Sequence, residues 1–144
     1  MIYILDTDVF TLSEIPNSPE FGRLRARVAQ LPREDEVVTT VVTYDEQTRG
    51  WLGYAAKSRD IQHQVKAYAR LKRHLLSYLK IDVLDFDDRA ALEFERLCAL
   101  KLRIGTQDLK IAAIALARNA MLLSRNLRDF VKVPGLRVED WTQA

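Results

Sequence analysis

Cysteine and histidine are scarce in this sequence of 144 residues, and their scarcity excludes two kinds of site. With Cys98 as the only cysteine, the chain has no internal disulfide and no thiolate cluster for zinc. The two histidines, His63 and His74, are not spaced as a metal-binding pair, and we expect both at the surface. Cys98 lies in an apolar helical pattern, which predicts a small buried side chain.

Long apolar runs, internal repeats and flexible linkers are also missing. No apolar stretch approaches the roughly 18 to 20 residues that span a bilayer, and nothing before Ile2 has the charged head of a signal peptide. No segment rich in glycine, proline or serine divides the chain. We therefore expect one domain over residues 1–144, in a cytoplasmic protein with no membrane partner.

Charge is present in both signs, and the formal net charge of +2 is too small by itself to indicate a nucleic-acid binder. Its distribution is uneven, because seven lysines and arginines stand against the single acid Asp60 between Lys57 and Lys80. Residues 60–79 predict a long amphipathic helix with one basic side. Its apolar side, which we expect in the core, carries Ile61, Val65, Tyr68, Leu71, Leu75 and Leu79.

The basic side of this helix has two interpretations. A solvated helix face is the common one. Alternatively, Lys66, Arg70, Arg73 and their neighbours neutralise phosphates, and aromatic rings stack on bases. The candidate rings are Trp51, Tyr54, Tyr68 and Tyr78, of which Tyr68 lies on the side expected in the core. The sequence leaves both open.

Strand-like segments alternate with helix-like segments along the whole chain. Helices are predicted from Pro19 to Leu31 with Ser18 as N-cap, from Asp88 to Leu102, and onward from the N-cap Thr106. The predicted strands are IYIL (2–5), VLDF (83–86), MLLS (121–124) and LRV (136–138), together with a strand in VVTTVVT (37–43) that is followed by a turn into a helix. This alternation predicts a three-layer α/β/α fold with a central, mostly parallel sheet of about four to five strands.

Carboxylate and amide side chains occur where predicted strands end or helices begin. Asp6 ends the first strand, Glu46 lies just past the second, Asp108 opens the apolar helix, and Asn126 and Asp129 follow MLLS. Each of these residues alone is equally typical of a turn or a helix cap. In parallel sheets, however, ligands bind beyond the carboxyl ends of the strands. Clustered carboxylates repel one another, and Mg²⁺ or Mn²⁺ would relieve that repulsion, which suggests a metal site.

Five motifs give the chain a resemblance to a known family over nearly its whole length. They are YILDTDVF, TYDEQTRG (43–50), IGTQDLKIAAIALA (104–117), LLSRNLRDF (122–130) and VPGLRVEDW (133–141). Their order and content resemble the PIN-domain ribonucleases, particularly the VapC-type toxins of bacterial toxin–antitoxin pairs. The resemblance implies a PIN-like fold in the layers predicted above.

The resemblance also implies roles for individual residues. Asp6 and Asp108 match the aspartates that hold Mg²⁺, and Glu46 matches the acidic residue of the second motif, as a further ligand or as the base. Asn126 falls at a fourth catalytic position that is often aspartate, with Ser124 as the accompanying hydroxyl. The asparagine leaves the site with one charge fewer, and Asp129 is a lower-ranked substitute.

The function implied by the resemblance is Mg²⁺-dependent cleavage of structured RNA, of the tRNA or rRNA class, by a metal-activated water. Mn²⁺ is expected to support the same reaction in place of Mg²⁺. The expected partners are the RNA, a second copy in a homodimer, and a cognate antitoxin that enters the active-site groove.

Two alternatives remain open at this point. A PIN-like module that binds RNA or a partner without cutting is favoured by Asn126. A haloacid-dehalogenase-like phosphatase would use Asp6 as nucleophile and Asp8 as its acid/base partner, although Phe10 replaces the usual threonine or valine. In the PIN interpretation, Asp8 caps or steadies the turn.

Overall fold

A computed structural model, which describes residues 1–144, contains a single sheet of five parallel strands. The order across the sheet is β3-β2-β1-β4-β5, so β1 is central and β5 lies at an edge. The strands are β1 (Ile2–Leu5), β2 (Glu36–Thr40), β3 (Val83–Leu84), β4 (Met121–Leu123) and β5 (Arg137–Glu139). The predicted α/β fold is confirmed, and the sheet is parallel throughout.

Seven helices connect the strands and cover both faces of the sheet. The helices are α1 (Thr7–Leu12), α2 (Pro19–Val28), α3 (Val41–Lys57), α4 (Ile61–Ser77), α5 (Asp88–Ala99), α6 (Thr106–Ala117) and α7 (Leu127–Phe130). Because a crossover between parallel strands brings the chain back over the sheet, each strand points its carboxyl end toward the same edge.

Two apolar cores, one on each face, hold the sheet between its helix layers. Successive side chains of β1 point to opposite faces, so Ile4 packs in the larger core and Leu5 in the smaller one. The larger core is built mainly on α6, and the smaller core contains Phe10 and Trp141. The buried side chains of α6 are Leu109, Ile111, Ala112, Ala113, Ile114, Ala115 and Ala117. The apolar composition of this helix is thus explained by its burial on most sides.

Several element boundaries differ from the sequence predictions. The predicted strand 37–43 ends at Thr40, whose hydroxyl accepts a hydrogen bond from the Thr43 N–H and so caps α3. Thr106 is the first residue of α6, and Gly105 is the N-cap without a side-chain hydrogen bond. Helix α1 was not predicted. It begins directly after β1 because the Asp6 carboxylate caps it.

The prediction for the apolar side of residues 60–79 was wrong. The helix forms, but five side chains on that side, including Tyr68, are 56–74% exposed. Helix α4 instead packs on α3 through a different side, with Ala67 and His74 buried. The five exposed side chains, called here the α4 apolar stripe, are Ile61, Val65, Tyr68 and Leu75 of α4 and Leu79 just after its end.

Cys98 is exposed, which contradicts the expected burial, because the inward side of α5 is occupied by Ala90 and Leu97. None of the helices combines the length and apolar character needed to cross a membrane.

His74 is buried, which contradicts its expected surface position. Its Nε2 lies 2.7 Å from the Thr48 hydroxyl, and its ring stacks on Tyr44 with centroids 5.4 Å apart. Nδ1 has no hydrogen-bond partner. Burial therefore lowers the pKa of His74 from its ordinary value of 6.5. The folded protein binds this proton less readily than the unfolded chain does.

We expect the unfolding free energy to fall more steeply upon acidification in the wild type than in His74→Gln. As the pH falls below the ordinary value, the unfolded chain takes up a proton that the folded chain resists, so stability is lost. Urea unfolding from about pH 8 to about pH 5 measures the difference. His63→Gln is the matched control, because His63 lies exposed on the same helix. Equal slopes for wild type and His74→Gln would contradict this prediction.

Candidate active site

Asp6 lies at the centre of the carboxyl edge of the sheet. Its backbone N–H donates to the carbonyl oxygen of Leu123 at 3.2 Å, which ties the ends of β1 and β4 together. Its carboxylate Oδ1 accepts a hydrogen bond from the Val9 N–H at 2.9 Å, and the Ser124 hydroxyl also bonds to this carboxylate. The residue is only 4% exposed. The fold thus places a carboxylate at this edge in one orientation.

Burial raises the pKa of Asp6 to about 6. The hydrogen bonds from Ser124 and Val9 act in the opposite direction, because they favour the charged carboxylate. The negative charges of Asp8 and Asp108 make a smaller contribution to the raised pKa, and the value of about 6 is the net result of all these effects. Asp6 is therefore a carboxylate that lacks a compensating positive charge.

Asp108 lies in the first turn of α6 and is electrostatically coupled to the other acids. Burial raises its pKa, the charges of Glu46 and Asp129 add to that effect, and a hydrogen bond from Asn126 lowers it. The Asn126 Nδ2 atom lies 3.5 Å from the Asp108 Oδ2 atom and 3.0 Å from the Asp129 Oδ2 atom. Asn126 thus links Asp108 to the loop after β4.

Glu46 is held in place by a neighbour that the sequence did not single out. The Thr7 hydroxyl donates to the Glu46 Oε1 atom at 2.7 Å, and it also lies 3.0 Å from the Thr43 hydroxyl. Thr7 is the first residue of α1, and Thr43 lies in the first turn of α3. The position of Thr7 between Asp6 and Asp8 was the only available signal, and its contact with Glu46 was not predictable.

Asp8 does not cap the turn. Arg125 donates two hydrogen bonds to its carboxylate, from Nε at 2.6 Å and from Nη2 at 2.8 Å. This ion pair joins the segments that follow β1 and β4, so Asp8 steadies the turn without capping it. The cap is Asp6 itself.

Ser124 and Asp129 lie on either side of Asn126. Ser124 is fully buried, and its hydroxyl accepts a hydrogen bond from the Asn126 N–H at 2.9 Å. Asp129 bonds to Asn126 and to Lys132, and these contacts lower its pKa. Asp129 is therefore already compensated, whereas Asp6 and Asp108 are not.

The donor set fits a hard divalent ion that keeps several waters. None of Asp6, Glu46 and Asp108 forms an ion pair with a lysine or arginine. No point in the structure has three histidine, cysteine or acidic side chains placed around it as ligands. Mg²⁺ is commonly bound by one or two carboxylates with water filling the remaining positions, so two converging carboxylates are sufficient.

Comparisons with known proteins identify the family and similar folds. The model of the PIN domain family matches residues 3–136. The chain is 30% identical to Ribonuclease VapC1 from Haemophilus influenzae strain R2866, over 99% of this chain and all of that relative. It is 38% identical to the tRNA(fMet)-specific endonuclease VapC from Salmonella typhimurium, over 43% of this chain and 50% of that protein.

Among solved structures, the fold is similar to a chain of VapBC-1 from nontypeable Haemophilus influenzae. The TM-score is 0.72 at 28% identity, and the match covers 99% of this chain and all of that one.

Proposed function

Because the chain belongs to the PIN-domain family, as a VapC-type member, we propose that it is a Mg²⁺-dependent endoribonuclease of a toxin–antitoxin pair. The observation that carries the proposal is the pair of carboxylates Asp6 and Asp108 at the carboxyl edge, whose pKa values are both raised, with Glu46 near enough for its charge to raise that of Asp108. A nuclease that acts on phosphodiesters needs positive charge at this place, and the chain itself supplies none.

In this proposal Asp6 and Asp108 hold Mg²⁺ or Mn²⁺, and Glu46 completes the ligand set or orients the attacking water. The bound ion supplies a more acidic water and neutralises charge on the phosphate. The Thr7 hydroxyl occupies Glu46 Oε1, which leaves the other carboxylate oxygen available to accept a proton from water. The Asn126 amide positions water or a phosphate oxygen beside Asp108.

The proposed substrate is structured RNA of the tRNA or rRNA class. Support comes from the Salmonella relative, which is named as specific for tRNA(fMet) and matches half of its own length here. The haloacid-dehalogenase alternative is not supported, because the Asp8 carboxylate that it needs as acid/base is bound by Arg125.

The proposed protein partners are a cognate antitoxin and, in a homodimer, a second copy of the chain. The similar structure from Haemophilus influenzae is a VapBC assembly, which supports an antitoxin. The α4 apolar stripe is also consistent with a protein partner, because exposed apolar patches of this kind mark interaction surfaces.

Metal dependence is tested by incubating total RNA with the protein in MgCl₂, in MnCl₂ and in EDTA. We expect cleavage with either metal and none in EDTA. In calorimetry, Mg²⁺ should bind about tenfold more weakly at about pH 5 than at about pH 8, because Asp6, with a pKa of about 6, must first lose its proton.

Two results would contradict the proposal. Cleavage that continues in EDTA would exclude the metal mechanism. A different result would indicate a PIN-like module that binds RNA without cutting it. In that case calorimetry shows no binding heat with Mg²⁺ or Mn²⁺, and the affinity for RNA is the same with and without EDTA.

A further inference from the structure

We propose that the groove between α3 and α4 binds a single-stranded segment of the RNA substrate beside the cleavage site. The inference rests on the proposed function and adds the path of the RNA strand. The groove has a volume of about 500 Å³. Its lining, called here the basic groove, consists of Trp51, Tyr54, Lys66, Ala69, Arg70 and Arg73.

The three cations of the basic groove are free to bind anions. Lys66, Arg70 and Arg73 form no ion pair, whereas other arginines and lysines of the chain pair with acids. The one acid in this stretch of sequence, Asp60, is engaged by His63. An uncompensated cation row on one side of a helix matches a row of phosphates, which carry one negative charge per nucleotide.

The two aromatic side chains add a surface for bases. The Arg70 guanidinium carbon lies 4.4 Å from the centroid of the Trp51 ring. The Tyr54 ring meets Trp51 edge-on, with centroids 6.1 Å apart. Unpaired bases stack on aromatic rings and on guanidinium planes, whereas bases inside a duplex are not accessible to such contacts. The combination therefore favours single-stranded RNA over an acidic protein, which would need only the cations.

The basic groove lies along the same helix as a candidate catalytic residue. Trp51 follows Glu46 by five residues of α3, which is about 8 Å along the helix axis. Tyr54 is a further turn along. Because five residues are about 1.4 helical turns, Trp51 projects about 140° around α3 from Glu46. In this proposal the RNA strand therefore bends around α3 between the basic groove and the candidate catalytic acids.

The test measures binding without cleavage. Fluorescence anisotropy follows a labelled oligouridylate of about 12 nucleotides in EDTA at several salt concentrations. In the triple variant Lys66→Gln, Arg70→Gln, Arg73→Gln, the slope of log K against log salt should decrease in magnitude by about 2. The matched control is Arg25→Gln, Arg33→Gln, Arg118→Gln, which removes three exposed arginines outside the groove and should bind like the wild type.

The aromatic contribution has its own variants. Trp51→Ala should weaken binding about 5-fold to 100-fold, and Trp51→Phe, which keeps a ring and the packing, should weaken it less. A duplex of the same length should bind the wild type more weakly than the single strand. Circular dichroism establishes that each variant is folded.

The outcomes separate this inference from the proposed function. If the wild type cleaves RNA in Mg²⁺ but the groove triple variant binds no more weakly than the control triple, the inference is wrong and the function stands. If the groove triple variant loses binding while the wild type never cleaves, the groove stands and the function is wrong. Equally tight binding of the duplex and the single strand would overturn the inference.

Discussion

Replacing Asp6 with asparagine is expected to lower RNA cleavage at least about 10³-fold while stabilising the metal-free protein. Activity is lost because the proposed ion, whose contribution is several kcal/mol, no longer has this ligand. Stability rises because the wild type must hold a buried charge whose pKa is raised to about 6. That shift from 3.8 corresponds to about 3 kcal/mol of unfolding free energy at neutral pH. Asparagine still accepts the hydrogen bond from Val9.

The stability effect has a defined pH dependence. Because the folded-state pKa is raised, the wild type loses stability as the pH rises from about 4 to above 6, and Asp6→Asn does not share that loss. Urea unfolding in EDTA should show the largest gap at about pH 8 and a closing gap toward pH 4. Asp85→Asn, at an exposed position, is the control and should change neither property. A less stable Asp6→Asn protein at pH 8 would refute the account of Asp6.

Replacing Asp108 with asparagine is expected to reduce cleavage by a similar factor, at least about 10³-fold, whereas Asp129→Asn should cost no more than about tenfold. Burial and the negative charge of Glu46 raise the pKa of Asp108. No positively charged side chain compensates this carboxylate. Hydrogen bonds from Asn126 and Lys132 lower the pKa of Asp129, so its negative charge is already compensated. Single-turnover cleavage of one RNA, with protein in excess, measures both losses.

This pair of variants also decides which aspartate acts with Asp6. If Asp129→Asn loses more cleavage activity than Asp108→Asn, then Asp129 and not Asp108 is the metal ligand that acts with Asp6. Calorimetry with Mg²⁺ provides a second readout, since a ligand variant should lose the binding heat and a neighbouring variant should keep it.

The sequence predicted the sheet and its helices well because their signals are local. An apolar run such as IYIL has to be buried on both faces, and Ser18 before Pro19 has the chemistry of a helix start. The helix α4 was predicted with the wrong side inward. Periodicity shows that one side of a helix is apolar, but it does not show which element covers that side. Here α3 packs against Ala67 and His74 instead.

The candidate site was predictable only in outline. The rule that parallel strands end at one edge was sufficient to place Asp6, Glu46, Asp108 and Asn126 near one another. The hydrogen bond from Thr7 to Glu46 joins residues 39 positions apart, and the pair of Asp8 with Arg125 spans 117 positions. Such contacts depend on how distant segments dock, and no local pattern encodes them.

The α4 apolar stripe affects how the melting temperature of this protein is interpreted. Any molecule that covers the stripe binds the folded chain and not the unfolded one, so it raises the melting temperature in proportion to the logarithm of its concentration. The melting temperature of a purified sample then depends on the concentration of such molecules as well as on the sequence. Melting curves are comparable only when protein and partner concentrations are held fixed.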